Sequence, residues 1–552
     1  MNPVVQREFY GILRSPKAFG ILMALSVAFA LAVLLRWPAS ATVDLSGTQS
    51  INVFRVLGYG LLAGIVFLVP AFPATSIVNE KSSGTLALLL NSPLSPWAIY
   101  FGKISGVLLF SGLVLLSSLP AAAACYAMGG IDLKSQLGLL YLVLVLLILQ
   151  YATLGMLVSS LVQSADAGVR VTYAAVLGLF VFSMIPALLI RGSMGNETLS
   201  LVAQWIRDLS PLPAVMEIMG HGSVGSSGLR DLPNVFGFVC ITIVSSLIFA
   251  AFTLSRMNYR IFDQSRGQGV ITDDRTLGSR TVRRLFYIVD PQRRKAGIPW
   301  FLNPVMVKEF RCRRFGRSQW LIRLICVCAI ISMVLTFLAA TSVTAWGVDS
   351  IGGLLVIMQV MLVVLLAPSL ASGLISSERD GGGWELLRAT PLSAFKIVRG
   401  KMLSATWTLL MVLLATLPGY LMMIYLRPTM WLQVQLVLIC LLLTNIYALT
   451  ISAAIGCLFR STAVSTSVTY VVVVSLFLLP ILIWLGREAP FGHDLVEHAL
   501  LITPVGAALS VINAPGFSNY NLLPMAWWIA GFVSLFMLMV LGVQTWRLAR
   551  SV

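Results

Sequence analysis

The chain has 552 residues, 58% of them hydrophobic and only 11% charged, with a mean hydropathy of +0.91. Soluble domains carry roughly 25% charged residues, and no compact core hides this much apolar surface, so an ordinary soluble protein is excluded. The formal net charge of +17 would suit a nucleic-acid binder, but its distribution along the chain has another origin, set out below.

Residues Met1 to Lys17 place Arg7, Glu8, Arg14 and Lys17 among Val4, Val5, Phe9, Tyr10, Ile12 and Leu13. This is the pattern of a helix lying in the membrane interface ahead of a first span, or of a merely positive anchor. The basic start, apolar middle and Ala39-Ser40-Ala41 also have the form of a cleaved signal peptide. Against that, Asn2-Pro3-Val4 and Glu8-Phe9 recur as Asn303-Pro304-Val305 and Glu309-Phe310, and a disposable leader would not be repeated mid-chain. The segment is therefore predicted to be mature structure, and Arg311, Arg313, Arg314 and Arg317 are its counterpart before the seventh span.

A membrane-crossing helix needs about 20 apolar residues. Twelve charge-free runs meet that length: Ala18–Leu35, Val56–Val78, Ile104–Met128, Leu137–Leu161, Val171–Ile190 and Val235–Leu254, then Leu324–Val343, Leu354–Ile375, Leu403–Leu426, Leu432–Leu458, Val468–Leu485 and Ala526–Val543. Helices are expected because each segment must satisfy its own backbone in lipid, and the alternating ten-residue segments of a barrel are absent. With the first residues in the cytoplasm, thirty of the 38 basic residues fall on inner loops and eight on outer ones. The positive charge thus reports orientation, with both termini inside, and no nucleic-acid partner is expected.

Between the second and third runs lies Glu80 to Lys103, EKSSGTLALLLNSPLSPWAIYFGK. A shift of 298 positions brings it onto Glu378 to Lys401, ERDGGGWELLRATPLSAFKIVRGK, without a gap. Glu80/Glu378, Gly84/Gly382, Leu88/Leu386, Leu89/Leu387, Pro93/Pro391, Ser95/Ser393, Gly102/Gly400 and Lys103/Lys401 coincide. Each copy is a polar island between apolar runs, entered through a run holding Pro70 and Pro73, or Pro368, which predicts a kinked helix. The island itself reads as one short amphipathic helix, a stop at Ser92-Pro93 and a restart at Gly102-Lys103. Glu80 and Glu378 are placed to hold a basic partner, while Leu88, Leu89, Leu386 and Leu387 either fill a partner's groove or pack back on the spans.

Later landmarks repeat too. Leu161, Ser164 and Val171-Thr172-Tyr173 recur as Leu458, Ser461 and Val468-Thr469-Tyr470, and Ser210-Pro211 and Thr503-Pro504 head short apolar segments that dip into the outer leaflet. Asp166 and Arg170 are expected to pair, and Gln150 and Asn445 to hydrogen-bond between helices. The organisation expected is an all-α polytopic membrane protein of twelve transmembrane helices, in two parallel six-helix repeats, each with an interfacial lead-in helix and a short cytoplasmic helix in its island. Residues 1–255 form the first repeat, 256–300 a basic cytoplasmic linker beside anionic lipid, and 301–552 the second repeat.

Catalytic chemistry is missing. The three histidines, His221, His493 and His498, fall on outer loops, no phosphate-binding loop is present, and the seven cysteines read as small buried hydrophobes. No cofactor and no metal site are expected, and a solvated loop is the better reading of His493, Asp494, Glu497 and His498.

The repeated Glu-x3-Gly-x3-Leu-Leu-x3-Pro-Leu-Ser-x6-Gly-Lys pattern and the basic lead-in resemble the permease subunit of an ATP-binding-cassette exporter of the ABC-2 class. The chain is also similar to the subgroup of those permeases associated with multi-copper enzyme maturation, although nothing here indicates copper. The resemblance implies that the inner loop after span two is a coupling helix seated on a cytoplasmic ATP-binding-cassette ATPase dimer, itself the source of ATP hydrolysis. On this chain the coupling residues would be Glu80, Gly84, Leu88, Leu89, Pro93 and Ser95, with Glu378, Gly382, Leu386, Leu387, Pro391 and Ser393. It implies location in the cytoplasmic membrane, surrounded by lipid, and export of a substrate that the sequence does not identify. An ATP-independent twelve-span secondary carrier or a membrane scaffold is the competing reading. The carrier would need ionisable residues within the spans, and the scaffold would have no dependence on ATP. Two features depart from the family pattern: two halves are fused in one chain, and Trp384, Glu385 and Arg388 replace Leu86, Ala87 and Leu90 in the second island.

Overall fold

A computed structural model describes residues 3–14, 16–34, 48–184, 197–220, 234–257, 303–312, 325–334, 348–487 and 491–550. Every regular element among these is helical. Nine helices among the described residues are long and apolar enough to cross a membrane: Ser50–Ser82, Pro96–Ala127, Leu133–Leu161, Asn234–Arg256, Ile351–Asp380, Ala394–Leu426, Pro428–Leu458, Thr462–Leu485 and Met525–Leu548. The first expected span is not among these nine, although its residues form helix Pro16–Leu34. The fifth is helical over Ala165–Leu177 and Gly178–Phe182, and the seventh over Ile325–Val334, their remaining residues lying outside the described set, as does nearly all of the 256–300 linker.

The chain divides into two compact units, Met1–Gln264 with Leu482–His493, and Ser265–Ile481 with Asp494–Val552. In the first, the lead-in helix Pro3–Leu13 packs on the returning span that begins at Pro96. Gly102 and Gly106 make that approach close: a Cβ on Gly102 would stand 2.6 Å from the Val4 Cβ, and one on Gly106 3.0 Å from the Glu8 Cβ. Small residues let helix backbones meet where lipid supplies no hydrophobic drive. The second unit repeats the contact between Pro304–Cys312 and Ala394–Leu426, with Gly400 against Asn303 and the Asn303 amide donating to the Lys396 carbonyl at 2.9 Å.

Span two is broken, as the prolines require. In the first unit Thr48–Leu68 ends and Ala71–Ser82 begins around Pro70; in the second, Val348–Ala371 contains Pro368 and Gly373–Asp380 follows. A proline removes a backbone donor, so carbonyls near it need other partners. Span five supplies one in each unit. Tyr173 donates its hydroxyl to the Phe67 carbonyl at 2.5 Å, and Tyr470 to the Leu365 carbonyl at 2.7 Å. Both carbonyls lie three residues before the proline.

The lower segment of span two is gripped by spans four and five through glycines and serines whose positions are exchanged between the units. In the first, Ser159 Oγ accepts from the Ile77 and Val78 amides at 3.0 Å, and Gly168 packs on the Ala74 carbonyl. In the second, glycine stands on the other side: Gly456 packs on the Ser372 carbonyl, to which Ser465 donates at 2.8 Å. The short helices Pro211–Ile218 and Pro504–Val511 form at the expected Ser210-Pro211 and Thr503-Pro504, starting at the prolines. His493–Leu500 and Pro504–Val511 meet at 113°, the shape of a broken or re-entrant span.

Two expectations need correction. The returning helix restarts at Pro96 and Ala394, not at Gly102-Lys103 and Gly400-Lys401, because Ser95 and Ser393 cap it by accepting from the Ala98 and Lys396 amides at 3.3 Å. Lys103 and Lys401 therefore sit more than a turn inside the helix. The second correction concerns Arg55: the helix of span two starts ahead of the expected run Val56–Val78 and takes in this charge. Its Nε donates to the Met219 carbonyl at 2.8 Å, at the C-cap of the short helix Pro211–Ile218, whose dipole favours a cation there.

Candidate coupling site

Span two carries Glu80 and Glu378 near its C-terminal end, and a left-handed glycine turns the chain there. Gly84 has φ +74° and Gly382 φ +70°, which a side chain adopts only with strain. The turn opens a six-residue helix in each copy, Thr85–Leu90 and Gly383–Arg388. Ser92 and Thr390 then fold back, donating to the Leu89 and Leu387 carbonyls at 2.6 Å, and the exposed Pro93 and Pro391 lead to the capping serines.

This geometry separates the leucines. Leu86 is buried with Ile77, Ile99 and Tyr100, and Leu89 packs against that cluster. In the second copy Trp384 takes the buried place of Leu86, and Leu387 is half-buried. Leu88 and Leu386 face outward, 73% and 75% exposed. Two large apolar side chains are thus exposed at the same register of duplicated helices.

The glutamates do not point at that surface. Lys103 Nζ lies 2.9 Å from Glu80 and 2.7 Å from Glu8 of the lead-in helix; Lys401 Nζ lies 2.9 Å from Glu378 and 2.8 Å from Glu309. A second cation closes each group: Arg7 contacts Glu80 and, at 3.2 Å, Glu8, while Lys308 is 3.3 Å from Glu378. Thr85 Oγ1 also donates to Glu80. Burial alone would lower the Arg7 pKa, but its hydrogen bonds to Glu80 and Glu8 raise it above the usual guanidinium value. The same four positions, two acids and two bases, recur in both units. The second group is the more enclosed, Glu309 being 6% exposed against 25% for Glu8.

The expectation that Glu80 and Glu378 hold a partner's cation therefore changes, because cations of the chain's own lead-in helix and returning span occupy them. Lys103, Lys401, Glu8, Glu309, Arg7 and Lys308 are site residues that sequence reasoning did not assign. Their signal was present: Arg7-Glu8 and Lys308-Glu309 align at a shift of 301, the lysines at 298. Asp166 and Arg170 form the expected pair. Gln150 donates to Ser245 at 3.1 Å across helices, whereas both polar atoms of Asn445 are buried without a partner. Asp380 accepts from the Thr462 amide and hydroxyl at 3.1 and 2.9 Å, tying the second island to the next span pair.

Comparison with known proteins adds a partial family match. Residues 22–282, a little under half of the 552, match the family model described as ABC-2 family transporter protein. The probable multidrug ABC transporter permease YbhR of Escherichia coli strain K12 is 32% identical over 117 residues, which cover 21% of this chain and 29% of that protein. The same permease from Escherichia coli O157:H7 matches to the same extent.

Proposed function

We infer, from a chain whose residues 22–282 match the model of the ABC-2 family of transporter proteins, that the protein is the transmembrane permease subunit of an ABC transporter and works as an exporter. Hydrolysis of ATP belongs to a separate cytoplasmic ATPase dimer, and the chain forms the translocation path and receives the ATPase on its islands. The observation that carries this reading is the pair of exposed leucines, Leu88 and Leu386, on short helices hinged by left-handed glycines and braced by neutral charge groups. The coupling residues are Glu80, Gly84, Leu88, Leu89, Pro93 and Ser95 with their partners Glu378, Gly382, Leu386, Leu387, Pro391 and Ser393. Within each set the leucine makes contact and the remaining residues set its position.

Internal repetition extends the family reading to the second half, so that twelve helices in two parallel repeats make one transmembrane unit. Both islands and both termini face the cytoplasm in the cytoplasmic membrane, on the strength of the thirty-to-eight division of basic residues. The tagged chain purified from its native membrane is expected to retain a soluble subunit that hydrolyses ATP, and to lose it when Leu88→Asp and Leu386→Asp are combined. Retention of that subunit by the double variant would refute docking on the islands.

A further inference from the structure

We propose that Lys103 and Lys401 are positioning residues that fasten the lead-in helix and the island of each half into one moving body. Force applied to the island helix then reaches the lead-in helix through a carboxylate–lysine–carboxylate bridge. The inference rests on reading the islands as the ATPase-coupling site.

The geometry singles out these lysines. Each ammonium touches two carboxylates from elements far apart in the chain: Glu8 and Glu80 at 2.7 and 2.9 Å, Glu309 and Glu378 at 2.8 and 2.9 Å. An ammonium has three donors on one compact charge, so it can serve both carboxylates at once. The lysines are 6% and 1% exposed, which keeps counter-ions from screening the bridge. Lead-in helix and returning span already interlock through Gly102 and Val4, and through Gly400 and Asn303. The island glutamate is the third party, and the lysine joins it to the other two. From that glutamate the chain reaches the exposed leucine across only the left-handed glycine and one turn of helix, so a push on Leu88 or Leu386 is delivered next to the bridge. A pair serving stability alone would not need both carboxylates. The repetition of all four positions in the second half argues for a shared task.

The test uses the full chain in lipid nanodiscs with its co-purified ATPase. In Lys103→Met/Lys401→Met, ATPase retention is expected to stay within about twofold of wild type. Stimulation of ATP hydrolysis by the permease is expected to fall at least tenfold, and Lys103→Arg/Lys401→Arg to recover most of it. Wild-type stimulation in the methionine variant overturns the proposal. Should that variant fail to insert, the set Arg7→Gln, Glu8→Gln, Glu80→Gln, Lys103→Met with its second-half equivalents at Lys308, Glu309, Glu378 and Lys401 removes the whole group and leaves none of its charges unpaired. Normal stimulation in that set overturns the proposal, and its loss with retention intact supports it. A readout without ATPase separates this inference from the docking reading. Spin labels at the exposed Tyr10 and Leu88 should give a narrow distance distribution that broadens in Lys103→Met. An unchanged distribution refutes the bridge even where docking is confirmed; a broadened one with no ATPase bound to wild type upholds the bridge and refutes the docking.

Discussion

Lys401 is 1% exposed between two carboxylates, so its removal leaves Glu309 and Glu378 facing each other in a poorly solvated corner. Breaking one partner out of a buried ion group costs about 3–5 kcal/mol. Lys401→Met should therefore lower stability by about that amount, measured as thermal unfolding in nanodiscs. Lys103→Met should cost less, because Glu8 is 25% exposed and Arg7 remains on both acids. A second expectation concerns Gly84 and Gly382, where no neighbouring atom lies within 4 Å of an added Cβ and only the left-handed backbone resists it. Alanine at either position should cost about 1–2 kcal/mol from that strain, whereas asparagine, which tolerates the conformation better, should cost less. At this scale the sequence displayed every letter of the charge groups but not their pairing. Glu80 reads equally well as a carboxylate waiting for a partner; that Lys103 reaches it depends on the helix starting at Pro96 rather than at Gly102, and on Val4 nesting against Gly102.

The island helix is too short to be stable alone, since six residues make little more than one turn. Leu86 and Leu89, or Trp384 and Leu387, hold it on the spans and leave Leu88 or Leu386 exposed, as the proposed docking requires. Burying one leucine is worth about 1.5–3 kcal/mol, so Leu88→Asp alone should weaken ATPase binding by at least tenfold in a titration of the purified subunits, without shifting the unfolding temperature. The broken span offers a further check. Tyr173→Phe and Tyr470→Phe each leave a buried carbonyl without its donor, at a cost of about 1–3 kcal/mol. Unfolding curves of the two single variants should both shift down. The breaks were legible because proline has one physical consequence in a helix. The tyrosines were visible only as a repeated Val-Thr-Tyr, since a bond spanning 105 or 106 residues follows from packing that local pattern does not encode. Arg55 lies just ahead of the charge-free run that starts at Val56, but the helix continues through it because the Met219 carbonyl at the end of Pro211–Ile218 accepts from its guanidinium.

The two islands, one per half, should allow a single chain to serve an ATPase dimer, and the mass of the intact complex in native spectrometry is expected to correspond to one permease and two ATPase subunits. Cysteines introduced at Ser82 or Asp380 in a background without native cysteines should react with an impermeant reagent only from the inner side; labelling from outside would invert the topology. The islands will not be equal. Trp384 and Glu385 stand where the first half has Leu86 and Ala87, so Leu386→Asp and Leu88→Asp should differ in their effect. The charge groups also bear on membrane voltage. Arg7, Lys103, Glu8 and Glu80 sum to zero, as do Lys308, Lys401, Glu309 and Glu378. One uncompensated charge carried across the membrane field involves about 2.3 kcal/mol of work for every 100 mV. A neutral group does none however far it shifts, so ATP turnover in sealed vesicles should be insensitive to an imposed potential at this joint. Lys401→Met leaves a net negative charge there, and a movement that the field could not feel becomes one that it can oppose or assist.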